Sequence, residues 1–237
     1  MSTLQAEMER LYGFVSGANR QTRALVLELA RPADWTALSA AWRGVQADTE
    51  LPAPGIAVNG TDGYQLWFSM TDPVTVADAR AFLEALRKRY LDAVPVARLS
   101  LFPTADEAGQ TVHHAAPVPS QQPQTGYWSA FLAPDLASIF VDEPWLDREP
   151  SQEAQAGVLA VLKSIRPAEF RSVLQRLLPA GVTTAAPVVS GTTATASLTP
   201  TEKLQPRQFL LDVMNNPAVE LHLRIEAAKA LLPYCSD

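Results

Sequence analysis

A single cysteine, Cys235, stands in 237 residues, so no disulfide can close within the chain and its fold has to rest on packing. Long apolar runs are missing as well, and none approaches the roughly 20 residues of a membrane-spanning helix. The amino terminus, MSTLQAEMER, has neither the basic nor the apolar block of a secretory signal. These absences predict a cytoplasmic protein that does not engage a membrane. Basic charge is scarce: 19 Lys and Arg face 25 Asp and Glu, for a net charge of −6. That balance disfavours non-specific binding to nucleic acid, which depends on neutralising phosphates, though it leaves room for a local basic groove. Walker-type phosphate loops and zinc-finger spacings are absent, and Ser16 and Ser190 lack the setting of a nucleophile elbow.

The remaining composition is that of a globular protein, with 47% hydrophobic and 19% charged residues. The length suits one α/β domain and a small appendage. Leu4 to Gly13 carries a short helical pattern, and Arg23 to Leu29 is an apolar run of strand length. Asp34 is placed to cap a helix through Trp35, Leu38, Trp42 and Val45. Thr75 is placed to cap another, with Val76, Ala79, Phe82, Leu83, Leu86 and Tyr90 on one face. Arg87, Lys88 and Arg89 crowd its last turn, where cations oppose the helix dipole; their alternative use is contact with phosphates. Arg98 to Phe102 returns as a strand.

Between the two helices, Gly55 to Ser69 reads as strand, turn, strand. Ile56 and Val58 alternate with Ala57 and Asn59; Tyr64, Leu66 and Phe68 alternate with Gln65, Trp67 and Ser69. Asn59-Gly60 and Asp62-Gly63 tolerate the positive φ of a tight hairpin. The order predicts an α/β (or α+β) domain, a mixed sheet with flanking helices. Pro103 to Gln124 reads as a surface loop. Apolar density resumes at Tyr127 to Phe131, followed by helical patterns over Pro134 to Phe140, Glu153 to Ile165 and from Pro167 onward. Residues 179–205, in which Thr, Ala, Val, Ser and Gly dominate, read as a flexible linker. Residues 206–237 read as a C-terminal helical hairpin, with Leu221, Ile225, Ala228 and Leu232 as its apolar stripe. The main domain is thus expected over 1–178.

The run Arg23–Leu29, a helix, and then Asn59-Gly-Thr-Asp-Gly-Tyr-Gln65 with a further helix resemble the core of the archaeo-eukaryotic primase superfamily over about residues 13–102. The resemblance implies a primase-like fold with the first strand and the glycine hairpin adjacent in one sheet. The family sets two alternate acids on that strand to hold divalent metals for nucleotidyl transfer, since residues at i and i+2 share a face. Here Glu28 stands in such a place, with Val26 and Ala30 as its same-face neighbours. Gln65 stands where the family has a histidine that meets the nucleotide phosphate, and the later acid maps to Asp142. The segment from Pro206 to Tyr234 resembles the small helical motif of phage terminase small-subunit-like proteins, which implies a phage or mobile-element setting.

One acid and one neutral amide make a poor two-metal site, so the residues point to a primase-like fold without catalysis. The expected function is non-catalytic binding of a nucleotide or single-stranded DNA through Glu28, Asn59, Thr61, Asp62, Gln65 and Trp67. No cofactor is expected, and a divalent metal only if the site were active. A second reading is an interaction or assembly protein that meets a partner, or itself, through Leu221, Ile225, Ala228 and Leu232. An active metal-dependent nucleotidyl transferase is the third. Each residue also has a plain structural role open to it. Glu28 could pair with Arg23, Arg31 or Arg43, the turn could be an ordinary polar hairpin, and Trp67, like Trp35, Trp42 and Trp128, could be core.

Overall fold

The computed structural model describes residues 2–13, 21–105 and 111–177. The expected linker over 179–205 and the hairpin over 206–237, with Leu221, Ile225, Ala228 and Leu232, lie outside the described residues.

Helix α1 (Thr3–Tyr12) is followed by strand β1 (Gln21–Ala30), helix α2 (Trp35–Thr49), strands β2 (Gly55–Val58) and β3 (Gly63–Thr75), helix α3 (Val76–Tyr90) and strand β4 (Leu99–Phe102). Both expected caps are made. Asp34 Oδ1 accepts from the Ala37 N–H at 2.9 Å, and Thr75 Oγ1 accepts from the Asp78 N–H at 3.0 Å. Two-residue strands β5 (Thr104–Ala105) and β6 (Val112–His113) pair with each other. Strand β7 (Ala130–Leu132), a 3₁₀ turn (Ala137–Phe140), and helices α4 (Gln152–Ala160) and α5 (Pro167–Leu177) complete the described part.

The main sheet has the order β4-β1-β3-β2-β7, and every pairing in it is antiparallel. From β1 to β4 the chain is a βαββαβ unit, the split-βαβ or ferredoxin-like arrangement. The layout is the expected sheet with helices against it, in its α+β form, but the sheet is antiparallel where a mixed one was expected.

Strand alternation sorts the core into two layers. Leu25, Leu27, Leu29, Ile56, Leu66 and Phe68 point to the face covered by α2, α3 and α5, where Leu38, Phe82, Leu86 and Phe170 meet them. Val26, Ala57, Trp67 and Phe131 point to the other face, beneath Leu11 and Tyr12 of α1 and Leu159 of α4. Because both faces are covered, β1 reads as a nearly unbroken apolar run.

Three further expectations are corrected. Residues 111–118 are more than a surface loop, since Ala115 and Val118 are buried in the second layer. The pattern from Pro134 to Phe140 condenses to a single 3₁₀ turn over Ala137–Phe140. Helix α4 stops at Ala160 rather than Ile165 because the backbone of Ile165 joins the sheet. Its N–H donates to the Ser69 carbonyl at 2.8 Å, and its carbonyl accepts from the Thr71 N–H at 2.9 Å.

At the β7 edge, a side chain replaces a strand. The Phe131 N–H donates to Gln155 Oε1 at 2.7 Å, and Gln155 Nε2 donates back to the Phe131 carbonyl at 3.0 Å. Gln155→Leu would leave both backbone groups buried without a partner, at about 1–3 kcal/mol each. Chemical denaturation should register that loss as a lower midpoint with an unchanged slope. The opposite sign is expected at Tyr12. Its hydroxyl is buried with no hydrogen-bond partner among the described residues, while its ring lies 5.2 Å from Trp67 and 5.9 Å from Phe131. Tyr12→Phe keeps those ring contacts and removes the orphan, so its melting temperature should equal or exceed that of the parent.

Candidate functional site

On the second face, the residues toward Tyr12 are apolar, and the next row across the sheet is polar. Glu28 of β1 stands opposite Gln65 of β3 and, on its other side, opposite Ser100 of β4. Gln65 in turn faces Ala57 of β2. One residue pair along the ladder, Val26 faces Trp67 inside the apolar layer. The boundary between wet and dry therefore runs between positions 26 and 28 of one strand.

A hydrogen-bonded line crosses that boundary. The buried indole of Trp67 donates its Nε1–H to Gln65 Oε1 at 2.8 Å, and Gln65 Nε2 donates to Glu28 Oε2. Gln65 is buried too, so both ends of its amide are fixed by protein groups. Glu28, at the outer end, is half-buried. None of the arginines considered for it forms an ion pair with it among the described residues. Arg23 donates to the carbonyls of Met70 and Arg10, and Arg31 to the carbonyl of Ala97. Burial pushes the Glu28 pKa up; the Gln65 amide opposes this, the Asp62 carboxylate adds to it, and the Asn59 amide and Arg31 guanidinium act against it.

The hairpin turn lies beside this line and is closed by its own first residue. Asn59 Oδ1 accepts from the backbone N–H of Thr61, Asp62 and Gly63 at 2.9 Å, 3.0 Å and 3.0 Å, and from the Thr61 hydroxyl at 3.0 Å. Donors that could have formed an anion nest are thus already occupied by an internal acceptor. Gly60 has φ +82°, and a Cβ there would sit 2.9 Å from the Ser129 nitrogen, so glycine is required on two counts.

The six residues singled out from the sequence therefore divide. Glu28, Gln65 and Trp67 form one connected line. Asn59, Thr61 and Asp62 form the adjoining turn, linked to the line by the proximity of Asn59 and Asp62 to the Glu28 carboxylate. Trp67 offers no open ring face for stacking on a base, and Gln65 is a buried connector rather than a phosphate contact. Ser100 and Arg31 complete the surroundings. The alternation of Leu99, Ser100 and Leu101 puts Ser100 on the polar face, but only the register brings it to Glu28.

A two-metal centre does not fit these residues. Among the described residues, Asp62 is the one carboxylate acting on Glu28, and its Oδ1 is engaged by Asn59 and Thr61. Asp142, the mapped later acid, acts instead on Tyr64, whose ring belongs to the opposite layer. Among the described residues, no three His, Cys, Asp or Glu side chains converge to hold an ion. Comparison with known protein families and with curated proteins finds no match to this chain.

The raised pKa of Glu28 has a consequence for stability. The folded chain holds this proton more tightly than the unfolded chain. The stabilisation is complete below the ordinary glutamate value and is lost as pH rises through the higher folded value. Glu28→Gln removes the titration and keeps an oxygen for Gln65 to donate to. Thermal melts from about pH 4 to about pH 8 should show the variant gaining on the parent as pH rises. A lower melting temperature for the variant at neutral pH would contradict this account.

Proposed function

We propose that this chain is a non-catalytic nucleotide-binding protein on a primase-type core, with Glu28 as the acceptor that recognises the base. The observation behind this reading is that the Glu28 carboxylate is held by a buried neutral line, Gln65 and Trp67, and forms no ion pair among the described residues. A carboxylate fixed in place, half-exposed and not neutralised keeps lone pairs for N–H donors. The amino-bearing edges of cytosine and guanine present such donors. The adjacency of β1 and the glycine hairpin supports the resemblance to primases, and the replacement of the metal-holding set by one acid and one amide supports binding without catalysis.

A mononucleotide suits the site better than a strand. Single-strand binding draws on aromatic platforms and a cationic track, whereas Trp67 is buried and the chain carries a net charge of −6. Calorimetric titration of the full chain with cytidine and guanosine monophosphates at low salt should give micromolar to millimolar dissociation constants. Glu28→Gln should weaken binding by about tenfold or more, the loss of a hydrogen bond to a charged group. No measurable heat with either nucleotide at low salt would refute the assignment.

A second reading, an interaction or assembly protein, is favoured by a separate observation. Leu136, Ile139 and Val141 are exposed on one short turn.

A further inference from the structure

Apart from the Glu28 line, two surface features are complementary in charge. The first is the 3₁₀ turn over Ala137–Phe140 and its flanks. Leu136 and Ile139 are exposed at 45% and 68%, and their spacing of three brings them side by side on such a turn. Asp135, Asp142 and Glu143 are exposed around them. The backbone beneath is pinned. Ala137 is fully buried and its carbonyl accepts from the Tyr64 hydroxyl at 2.6 Å, while the Pro144 carbonyl accepts from the Gly60 N–H at 3.2 Å. Aliphatic side chains on a fixed backbone lose little freedom when covered, which is how preorganisation raises affinity.

The second feature is a concavity of about 390 Å³ between α3 and α5, with Ala81, Ala85 and Leu177 as its apolar lining and Lys88, Arg89 and Arg176 as its cations. Glu84, the one acid among the described residues of its lining, is bound by Arg87 at 2.7 Å. Arg89 holds Asp48 at 3.0 Å, and Arg176 donates to the neutral Thr49 carbonyl at 3.3 Å. Lys88 forms no ion pair among the described residues. The hollow therefore keeps the positive charge of Lys88 and Arg176 on a chain that is acidic as a whole. An apolar cavity of about 150 Å³ accepts a benzene ring, so this one has room for two aliphatic side chains.

We infer that the turn carrying Leu136 and Ile139 docks into the α3–α5 hollow of a second copy of this chain, with Asp135, Asp142 and Glu143 meeting Lys88 and Arg176. The two surfaces share no residue, so the contact is head-to-tail unless a two-fold axis pairs each turn with the other copy's hollow. Head-to-tail, each added copy leaves one turn and one hollow open, and association is open-ended unless the rotation closes a ring. The inference deepens the assembly reading and does not depend on nucleotide binding at Glu28.

Light scattering on the full chain should give a mass that rises with concentration and falls as salt screens the charged rim. Ile139→Asp and Lys88→Glu should each weaken association by at least about tenfold, as for a residue central to an interface. The decisive measurement mixes the two variants. Ile139→Asp keeps its hollow and Lys88→Glu keeps its turn, so together they should form a 1:1 pair that stops there. A wild-type mass that never departs from the monomer, association unaffected by both substitutions, or variants that fail to pair on mixing would each overturn the inference. Nucleotide titration of the same two variants should match the parent, which separates this outcome from the fate of the Glu28 assignment.

Discussion

The antiparallel ladder between β1 and β3 is the constraint on which the rest of the structure depends. It runs from Gln21 opposite Thr75 to Ala30 opposite Gly63, with one irregularity between Thr22 and Ala24. Side chains alternate across this ladder, so its register alone decides which residues enter each layer. A slip of one residue would move Leu25, Leu27 and Leu29 out of the layer under α2 and α3, and would bring Glu28 into it. The same register puts the carboxylate of Glu28 opposite the amide of Gln65, and sets Val26 against Trp67 under Tyr12. Packing and polar pairing thus select one alignment together.

Glu28 illustrates how a sheet covered on both faces can keep a carboxylate. An arginine partner would neutralise it and occupy its lone pairs. An amide satisfies one oxygen and leaves the charge in place, with the pKa displaced upward by burial. Such a group weakens the fold at neutral pH, the pattern expected where a residue is retained for something other than stability. Its backing is rigid, because Trp67 is wedged between Tyr12 and Phe131 and fixes Gln65 in turn.

Much of this was legible in the sequence, and what was not has physical reasons. Asp34 and Thr75 announce their helices because a cap is a local event, settled by a side chain and the backbone three residues on. Asn59-Gly60 announces its turn for the same reason, and Glu28 stands out as an acid in an apolar run. The identity of its partner was hidden. Three arginines were plausible, and only the cross-strand register selects Gln65. Trp67 could have lain on an open sheet face, and α1 and α4, distant in sequence, are what close that face. The end of α4 was misplaced because Val158, Leu159, Leu162 and Ile165 keep a helical period, although Ile165 is drawn into the sheet by Ser69 and Thr71. Gln155 gave no signal, since its partners are backbone groups 24 residues away.

That glutamine also limits how the molecule can meet its neighbours. An unpaired strand edge is a template onto which another chain can add. At β7 both in-plane hydrogen-bonding groups of Phe131 are taken by one side-chain amide, so an incoming strand finds nothing there to ladder onto. Growth of the sheet into a continuous ribbon is blocked on that side, where a neighbour can meet only side-chain surfaces.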